Sequence, residues 1–142
     1  MAIPFDKKEV FTGNEGTIIL SSESKKQKEA HKKINNGNGR SESENFVEAE
    51  FFGIKQFNNL IAPYGDQCVG FRVYHGVTWE NHKGKDVEVA AEGKGKKTAR
   101  VIIVPVDKYG NDLKPELAHK DPTPSELSKG PLCPSNCKSD TN

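Results

Sequence analysis

The chain has 142 residues, of which 33% are apolar and 29% are charged, and its formal net charge is +1. This length suits one domain, but the low apolar fraction predicts a small core with part of the chain outside it. A charge this close to zero excludes a general attraction to nucleic acid or to anionic membranes. No apolar run approaches the roughly 20 residues of a spanning helix, so we expect no membrane insertion.

The N-terminal segment lacks the apolar stretch of a secretory signal, so a cytoplasmic location is the default expectation. Export by a signal-independent route is the alternative. Residues 1 to 14, here called the N-terminal arm, nevertheless carry large apolar side chains, namely Ile3, Phe5, Val10 and Phe11. A purely solvated tail would not need them, so we expect the arm to cover a surface.

Residues 15 to 20 (EGTIIL) suit a short strand or the lead-in to a helix. The residues that follow are rich in Lys, Glu, Gln and Ala, with Ser21 or Ser22 as the N-cap, and they predict a helix from about residue 23 to 35. Its apolar stripe is thin, consisting of Ala30 and Ile34. Packing along one narrow line would have to stabilise this helix.

Residues 46 to 62 change periodicity part of the way along. Apolar residues first alternate with acidic ones, as in a strand, and then recur at helical spacing from Ile54 to Ile61. We predict a strand over residues 46 to 52 and a helix over residues 54 to 62, ended by Pro63. A single helix through the whole segment is the alternative.

The centre of the chain predicts an antiparallel meander. Residues 68 to 79 alternate, with Val69, Phe71, Val73, His75 and Val77 on one face, which indicates a half-buried strand. Residues 98 to 107 are apolar on both faces from Val101 to Val104 and predict the deepest strand. Pro105 has no N–H, so we expect pairing to be interrupted there. Residues 86 to 91 suit a third strand, and residues 107 to 112 a turn with Gly110 at positive φ.

These elements predict an α+β fold with a small antiparallel sheet of three to five strands, two helices on one face, and extended N- and C-terminal arms. We place the core domain at residues 15 to 114 and a proline-rich tail at residues 115 to 142. The tail holds five of the eight prolines, so we expect few contacts between it and the core. The predicted core includes Phe51, Phe57, Leu60, Val69, Phe71, Val73, Val101 and Ile103.

The tail also carries the best candidates for metal or thiol chemistry. Cys133 and Cys137 are four positions apart, close enough to share a metal ion or to form a small disulfide ring. A zinc site needs about four ligands, and His119 and Cys68 would complete one only if the tail folds back. The missing ligands favour a local disulfide or free thiols, and no cofactor is predicted.

No motif predicts catalysis. The sequence has no Ser-His-Asp or Cys-His arrangement, and residues 93 to 97 (GKGKK) lack the spacing of a phosphate loop. Arg72 and Tyr74 form either a recognition pair or part of an exposed strand face. We therefore predict no small-molecule substrate.

Four segments together resemble a family of small Bacteroidetes-type proteins of unassigned function: FFGIKQFNNLI, CVGFRVYHG, VIIVPVDKYGNDL and the terminal CPSNC. The resemblance covers roughly residues 23 to 113 and the tail pair. It implies a shared fold and no activity. The matching positions are Gly70, Arg72, Tyr74, Val106, Asp107, Gly110, Asp112, Cys133, Pro134 and Cys137.

Two function classes remain. The first is a non-catalytic structural protein that assembles with copies of itself into a homo-oligomer or filament through strand edges and terminal arms. The second is a small binding or redox- or metal-responsive module that acts through Cys133 and Cys137. An enzyme ranks third. The residues expected to make assembly contacts are Ile3, Phe5, Val10, Phe11, Arg72, Tyr74, Cys133 and Cys137.

Overall fold

A computed structural model of the chain describes residues 8–36, 47–83, 86–115 and 124–133. Its helices are α1 (Ser21–Asn36) and α2 (Ile54–Ile61), and a 3₁₀ helix (Ala62–Gln67) follows α2 directly. The strands are β1 (Ala49–Glu50), β2 (Cys68–Lys83), β3 (Asp86–Val89), β4 (Lys96–Asp107) and β5 (Leu132–Cys133). Within the described ranges, neither helix is long and apolar enough to cross a membrane.

The sheet architecture confirms the α+β prediction. Three antiparallel strands lie in the order β3-β2-β4, and β1 pairs with β5 in a separate two-stranded sheet. The hairpin between β2 and β3 pairs Glu80 with Val89 and Lys83 with Asp86. The placement of both helices on one face of the sheet stays a prediction.

Helix α1 begins slightly earlier than predicted, and its apolar side chains are more exposed than predicted. The N–H of Ser24 donates to the carbonyl of Leu20 at 3.0 Å, so Ser21 and Ser22 lie in the first turn and do not precede it. Ile34 is 68% exposed and Ala30 is also exposed, so the predicted packing along a narrow stripe is wrong. The good helix formers along α1, mainly Lys, Glu, Gln and Ala, supply the local preference instead.

The segment before β2 divides as predicted. A short strand, β1, precedes α2, and Gly53 between them has extended backbone at φ −70° and ψ 140°. Its carbonyl accepts the N–H of Phe57 at 3.0 Å. The alternative of one continuous helix is therefore wrong, although the strand is only two residues long.

Strand β4 is the deepest element, as the sequence predicted. Ile103, Val104, Pro105 and Val106 are all buried, and because neighbouring side chains point to opposite faces, β4 is covered on both faces here. Such burial suits β-branched side chains, which are stiff and pack well on a pleated surface.

Pro105 lies inside β4 without interrupting it, contrary to the expected break in pairing. The N–H and carbonyl of Ile103 bond to Leu127, on the side of β4 away from β2. By the two-residue period, the nitrogen of Pro105 faces this same outer side. Its carbonyl also points there and accepts the N–H of Leu113 at 2.8 Å. The absence of an N–H on Pro105 therefore removes no hydrogen bond between β4 and β2.

Strand β2 presents the opposite face to that predicted. Phe71 and Val77 are 52% and 55% exposed, and His75 on the same face is exposed as well. The alternate positions are covered better, from half-buried Arg72 to Glu80, which is 1% exposed. Ionic partners from other elements cover these polar side chains, and the alternation of apolar residues could not reveal such partners.

The exposure of Phe71 sets an expected stability difference. Phe71→Ala should lower the free energy of unfolding by about 1 kcal/mol, because only part of the ring leaves an apolar environment. Ile103→Ala should cost about 2 to 5 kcal/mol, as is usual for a buried aliphatic side chain. Urea unfolding of the two variants measures both values. Equal losses would contradict the burial described for β2 and β4.

The C-terminal segment is joined to the strands, so the expectation of few tail contacts is wrong for residues 125–133. Leu127 exchanges two backbone hydrogen bonds with Ile103, at 2.8 and 3.0 Å. Further along, β5 pairs Cys133 with Ala49 and Leu132 with Glu50. The tail contributes backbone partners to these strands, and composition does not report backbone pairing.

The described residues form two compact units. Unit 1 comprises the residues up to Gly16, Phe52–Tyr74 and Val101–Ser128, and unit 2 comprises Thr17–Phe51, His75–Arg100 and the residues from Lys129. Strands β2 and β4 each contribute one half to each unit. The division into arm, core and tail at residues 14 and 114 stays a prediction.

Candidate interaction site

The described part of the N-terminal arm, residues 8 to 14, lies on the turn that follows β4, within unit 1. The N–H groups of Val10 and Phe11 both donate to the carbonyl of Lys108, at 2.7 and 3.0 Å. The ammonium of Lys108 lies 3.0 Å from the carboxylate of Glu9, and this hydrogen bond raises the pKa of the lysine. Both groups of the ion pair are largely exposed, so it adds little stability.

The turn that receives the arm is built around Asp107. Its carboxylate accepts the N–H groups of Tyr109 and Asn111, at 3.0 and 2.9 Å. Gly110 has φ 87°, as predicted, which permits the close turn. A Cβ at Gly110 would lie 3.7 Å from the side chains of Val10 and Phe11, so the arm lies directly against the turn.

An ionic cluster of three residues connects the turn to β2. Arg72 donates to the Asp112 carboxylate at 2.6 Å and to the Gly110 carbonyl at 3.3 Å, and the Tyr74 hydroxyl donates to the other Asp112 oxygen at 2.5 Å. The pKa of Arg72 is raised, chiefly by its side-chain hydrogen bond with Tyr74 and also by the negative charge of Asp112. The guanidinium lies 5.9 Å from the ring centroid of Phe11, within range of a cation–π interaction.

The arm leaves this site through a small capped loop. The Glu15 carboxylate accepts the N–H groups of Thr12 and Gly13, both at 2.9 Å. These backbone hydrogen bonds, chiefly that from Thr12, lower the pKa of Glu15. Gly13 has φ 96° and Gly16 has φ 98°, values that favour glycine. The conformation of this loop therefore depends on the positive φ of Gly13 and Gly16 and on the Glu15 carboxylate.

A pocket of about 440 Å³ opens beside the arm in unit 1. Its apolar lining comes from Phe11, Val69, Phe71 and Val106, and Arg72 and Glu15 add charged groups. Both charged groups are already engaged, Arg72 by Asp112 and Glu15 by the loop. The pocket therefore mainly offers apolar contact. We call the surface formed by Arg72, Lys108, Gly110 and Asp112 the arm site.

A second cluster, in unit 2, is buried and joins four segments. Arg100, 4% exposed, donates to both carboxylate oxygens of Glu80, each at 2.8 Å, and to Glu50 at 2.9 Å. It also donates to the Gly130 carbonyl at 2.7 Å, and the Gly130 N–H donates to Glu50 at 2.8 Å. We call Glu50, Glu80 and Arg100 the Arg100 cluster.

The Arg100 cluster is closed and suits a structural role. Burial raises the pKa of Glu80, but hydrogen bonds from Arg100 and Thr78 outweigh it, so the net shift is downward. The pKa of Arg100 is raised, and its hydrogen bond to Glu80 is the main cause. His82 lies 3.2 Å from Glu80, at the exposed margin of the cluster. A bidentate buried pair with backbone partners fastens β5 and the preceding residues to β2 and β4.

The structure brings together four of the eight predicted assembly residues. Val10, Phe11, Arg72 and Tyr74 all lie at or beside the arm site. Ile3, Phe5, Cys137 and the metal candidate His119 lie outside the described residues, as does the side chain of Cys133. Within the described ranges, no three His, Cys, Asp or Glu side chains are grouped to hold a metal ion.

The sequence interpretation missed the Arg100 cluster and Gly130. One signal was available, since Arg100 immediately precedes the apolar run from Val101 to Val104, where an arginine needs a buried partner. The identity of that partner was not available. Glu50 and Glu80 are separated from Arg100 by 50 and 20 positions, and no local spacing links them.

Comparison with known proteins adds no function to this geometry. No protein family model, no curated protein and no solved structure matches the chain. The resemblance to small Bacteroidetes-type proteins therefore stays a prediction that rests on the quoted motifs. The structure itself establishes an α+β chain. Its residues 10 and 11 bind a turn in one unit, and a buried ionic cluster lies in the other unit.

Proposed function

We propose that this protein is a non-catalytic structural subunit that assembles with copies of itself. The observation that carries the proposal is the imbalance between buried and exposed apolar residues. Among the described residues, the large apolar side chains that are fully buried are Ile103, Val104 and Val106. Many more are exposed, including Ile18, Leu20, Phe71, Val73 and Val77.

Some of the exposed side chains lie together in two places. Ile18, Ile19 and Leu20 lie in sequence just before α1, and Ile18 is fully exposed. Phe71 and Val73 lie at alternating positions of β2 and so share one face of that strand. Isolated exposed apolar residues are ordinary, but consecutive or aligned ones mark surfaces that another protein covers.

A second copy is the occupant that the chain's charge favours. The formal net charge of +1 gives neither a strong repulsion between copies nor a field that would select a highly charged partner. Each copy would bring both exposed segments, so two complementary apolar surfaces are present in one sequence. A two-fold arrangement gives a dimer, and a head-to-tail arrangement that does not close gives a filament.

Light scattering after size exclusion, combined with negative-stain microscopy, tests this proposal. We expect a mass above the monomer that rises with protein concentration. Val73→Asp should shift the population toward monomer, since a charge on the exposed face of β2 disfavours apolar contact. Lys25→Asp on exposed α1 is the matched control and should leave the mass unchanged.

Two outcomes would redirect the interpretation. A strictly monomeric protein at high concentration would overturn the self-assembly proposal. An assembly that forms only without reductant, and is lost in Cys133→Ser and Cys137→Ser, would favour the alternative module that acts through the cysteine pair. Assembly that survives both the reductant and these substitutions supports edge and arm contacts.

A further inference from the structure

We infer that the N-terminal arm is exchangeable, so that the arm of one copy binds the arm site of another. This inference rests on the proposed self-assembly and names the segment that would link the subunits. An exchanged arm would make the same hydrogen bonds to Lys108 and the same contact between Phe11 and Arg72, only between chains. Exchange of an identical element is a low-cost route to association because it requires no new interface.

The contacts of the arm suit repeated release and binding. They include two backbone hydrogen bonds to one carbonyl, an exposed ion pair, one ring near a guanidinium and the packing of Val10 and Phe11 against Gly110. Val10 is 57% exposed even in the bound arm, so its own apolar contact is small, and Phe11 is the half-buried apolar residue of the described arm. Each of these contacts is individually weak, so the arm can detach without unfolding of β4.

A hinge follows the arm. Gly16 has φ 98°, yet a Cβ at this position would meet no atom within 4 Å. Packing therefore does not require glycine at this position. Only the positive φ of the backbone favours glycine there. Unit 1 includes the residues up to Gly16 and unit 2 begins at Thr17, so the hinge falls where the chain passes from one unit to the other. A change of φ at Gly16 would redirect the arm without a clash at Gly16 itself.

The arm site is suited to recognise this one segment. It offers a carbonyl that accepts two successive N–H groups, a guanidinium for an aromatic ring, and an ammonium for an acid. The arm supplies the three complements in order, as Glu9, Val10 and Phe11. A second copy of this chain is therefore the partner whose chemistry fits.

Cross-linking between two separately prepared variants tests the exchange. A Cβ at Gly110 would lie 3.8 Å from the Cβ of Val10, which is the usual separation in a disulfide. One chain carries Val10→Cys and a second, mass-tagged chain carries Gly110→Cys, both with Cys68, Cys133 and Cys137 replaced by Ser. We expect a covalent heterodimer after mixing and mild oxidation.

Controls separate exchange from collision and from misfolding. Val89→Cys, which is exposed on β3, replaces Val10→Cys in the control mixture and should give at least ten-fold less heterodimer. A chain that carries both Val10→Cys and Gly110→Cys must form a disulfide in either arrangement and so shows that Gly110→Cys folds. Intrachain disulfide in that chain, with no heterodimer in the mixture, would overturn the exchange.

The hinge provides a measurement that needs no substitution at the arm site. Gly16→Val disfavours the positive φ of the closed loop, so the exchanged population should rise roughly ten-fold. Gly53→Val, at an extended position, should leave it unchanged. Wild-type assembly without heterodimer and without a Gly16→Val effect would overturn arm exchange alone, whereas a strictly monomeric protein would overturn both proposals.

Discussion

Arg100→Met is expected to destabilise the protein by about 3 to 5 kcal/mol, as removal of one partner from a buried ion pair usually does. The substitution leaves two buried carboxylates, Glu50 and Glu80, facing a site that has lost its positive charge. It also removes the donor to the Gly130 carbonyl. Chemical denaturation at neutral pH measures the loss.

The pH dependence distinguishes this cause from lost packing. In the wild type, the lowered pKa of Glu80 contributes stability above the ordinary value of 4.5, and that stability is lost as the pH falls through the lowered pKa. Without Arg100, burial is the largest remaining influence and raises the pKa of Glu80. The deficit of Arg100→Met should therefore shrink as the pH falls toward 4.5.

Two further variants complete this test. Adding Glu50→Gln and Glu80→Gln to Arg100→Met should recover part of the stability, because the uncompensated charges disappear. Arg72→Met is the matched control, since the Arg72–Asp112 pair is 35% and 27% exposed and its loss should cost about 1 kcal/mol or less. Equal losses for Arg72→Met and Arg100→Met would refute the distinction between the two ionic clusters.

Gly130→Ala is the second substitution with a large expected effect. A Cβ there would overlap the carbonyl oxygen of Phe51 and lie 2.9 Å from its carbonyl carbon. Backbone atoms cannot move aside as a flexible side chain can, so the segment would shift and weaken both hydrogen bonds of Gly130 to the Arg100 cluster. We expect a loss of about 3 kcal/mol, at the upper end for overpacking, measured by thermal or urea unfolding.

Gly53→Ala controls for the general effect of replacing glycine. A Cβ at Gly53 would meet no atom within 4 Å, and its φ of −70° is open to any residue. This substitution should be neutral or slightly stabilising, because it reduces the entropy of the unfolded chain. A Gly130→Ala variant as stable as Gly53→Ala would show that the segment before β5 does not lie against Phe51.

The elements that could be predicted from sequence are those with a local cause. The apolar run of β4, the helical spacing of α2 and the positive φ of Gly110 each depend on residues that are neighbours in sequence. The face of β2 was predicted wrongly because its burial depends on distant partners. Arg72 meets Asp112, 40 positions away, and Glu80 meets Arg100, 20 positions away.

The candidate site was predictable in part for the same reason. Val10 and Phe11 stood out because large apolar residues are unusual in a charged N-terminal segment, and they do lie on a surface. The identity of that surface depends on one carbonyl, that of Lys108, and every residue offers a carbonyl. Sequence therefore indicates that the arm binds but gives no information on where it binds.

The Arg100 cluster also constrains the order in which the protein folds. Its members are residues 50, 80 and 100 and their backbone partner is Gly130, so the hydrogen bonds among them close loops of 20 to 80 residues. Contacts of such long range are slow to form, because the chain loses the entropy of loop closure before the contacts can stabilise the closed loop. During synthesis, Arg100 emerges before Gly130, so the cluster lacks its two hydrogen bonds with Gly130 until the later segment follows. Final closure of unit 2 is therefore expected late in synthesis or after it.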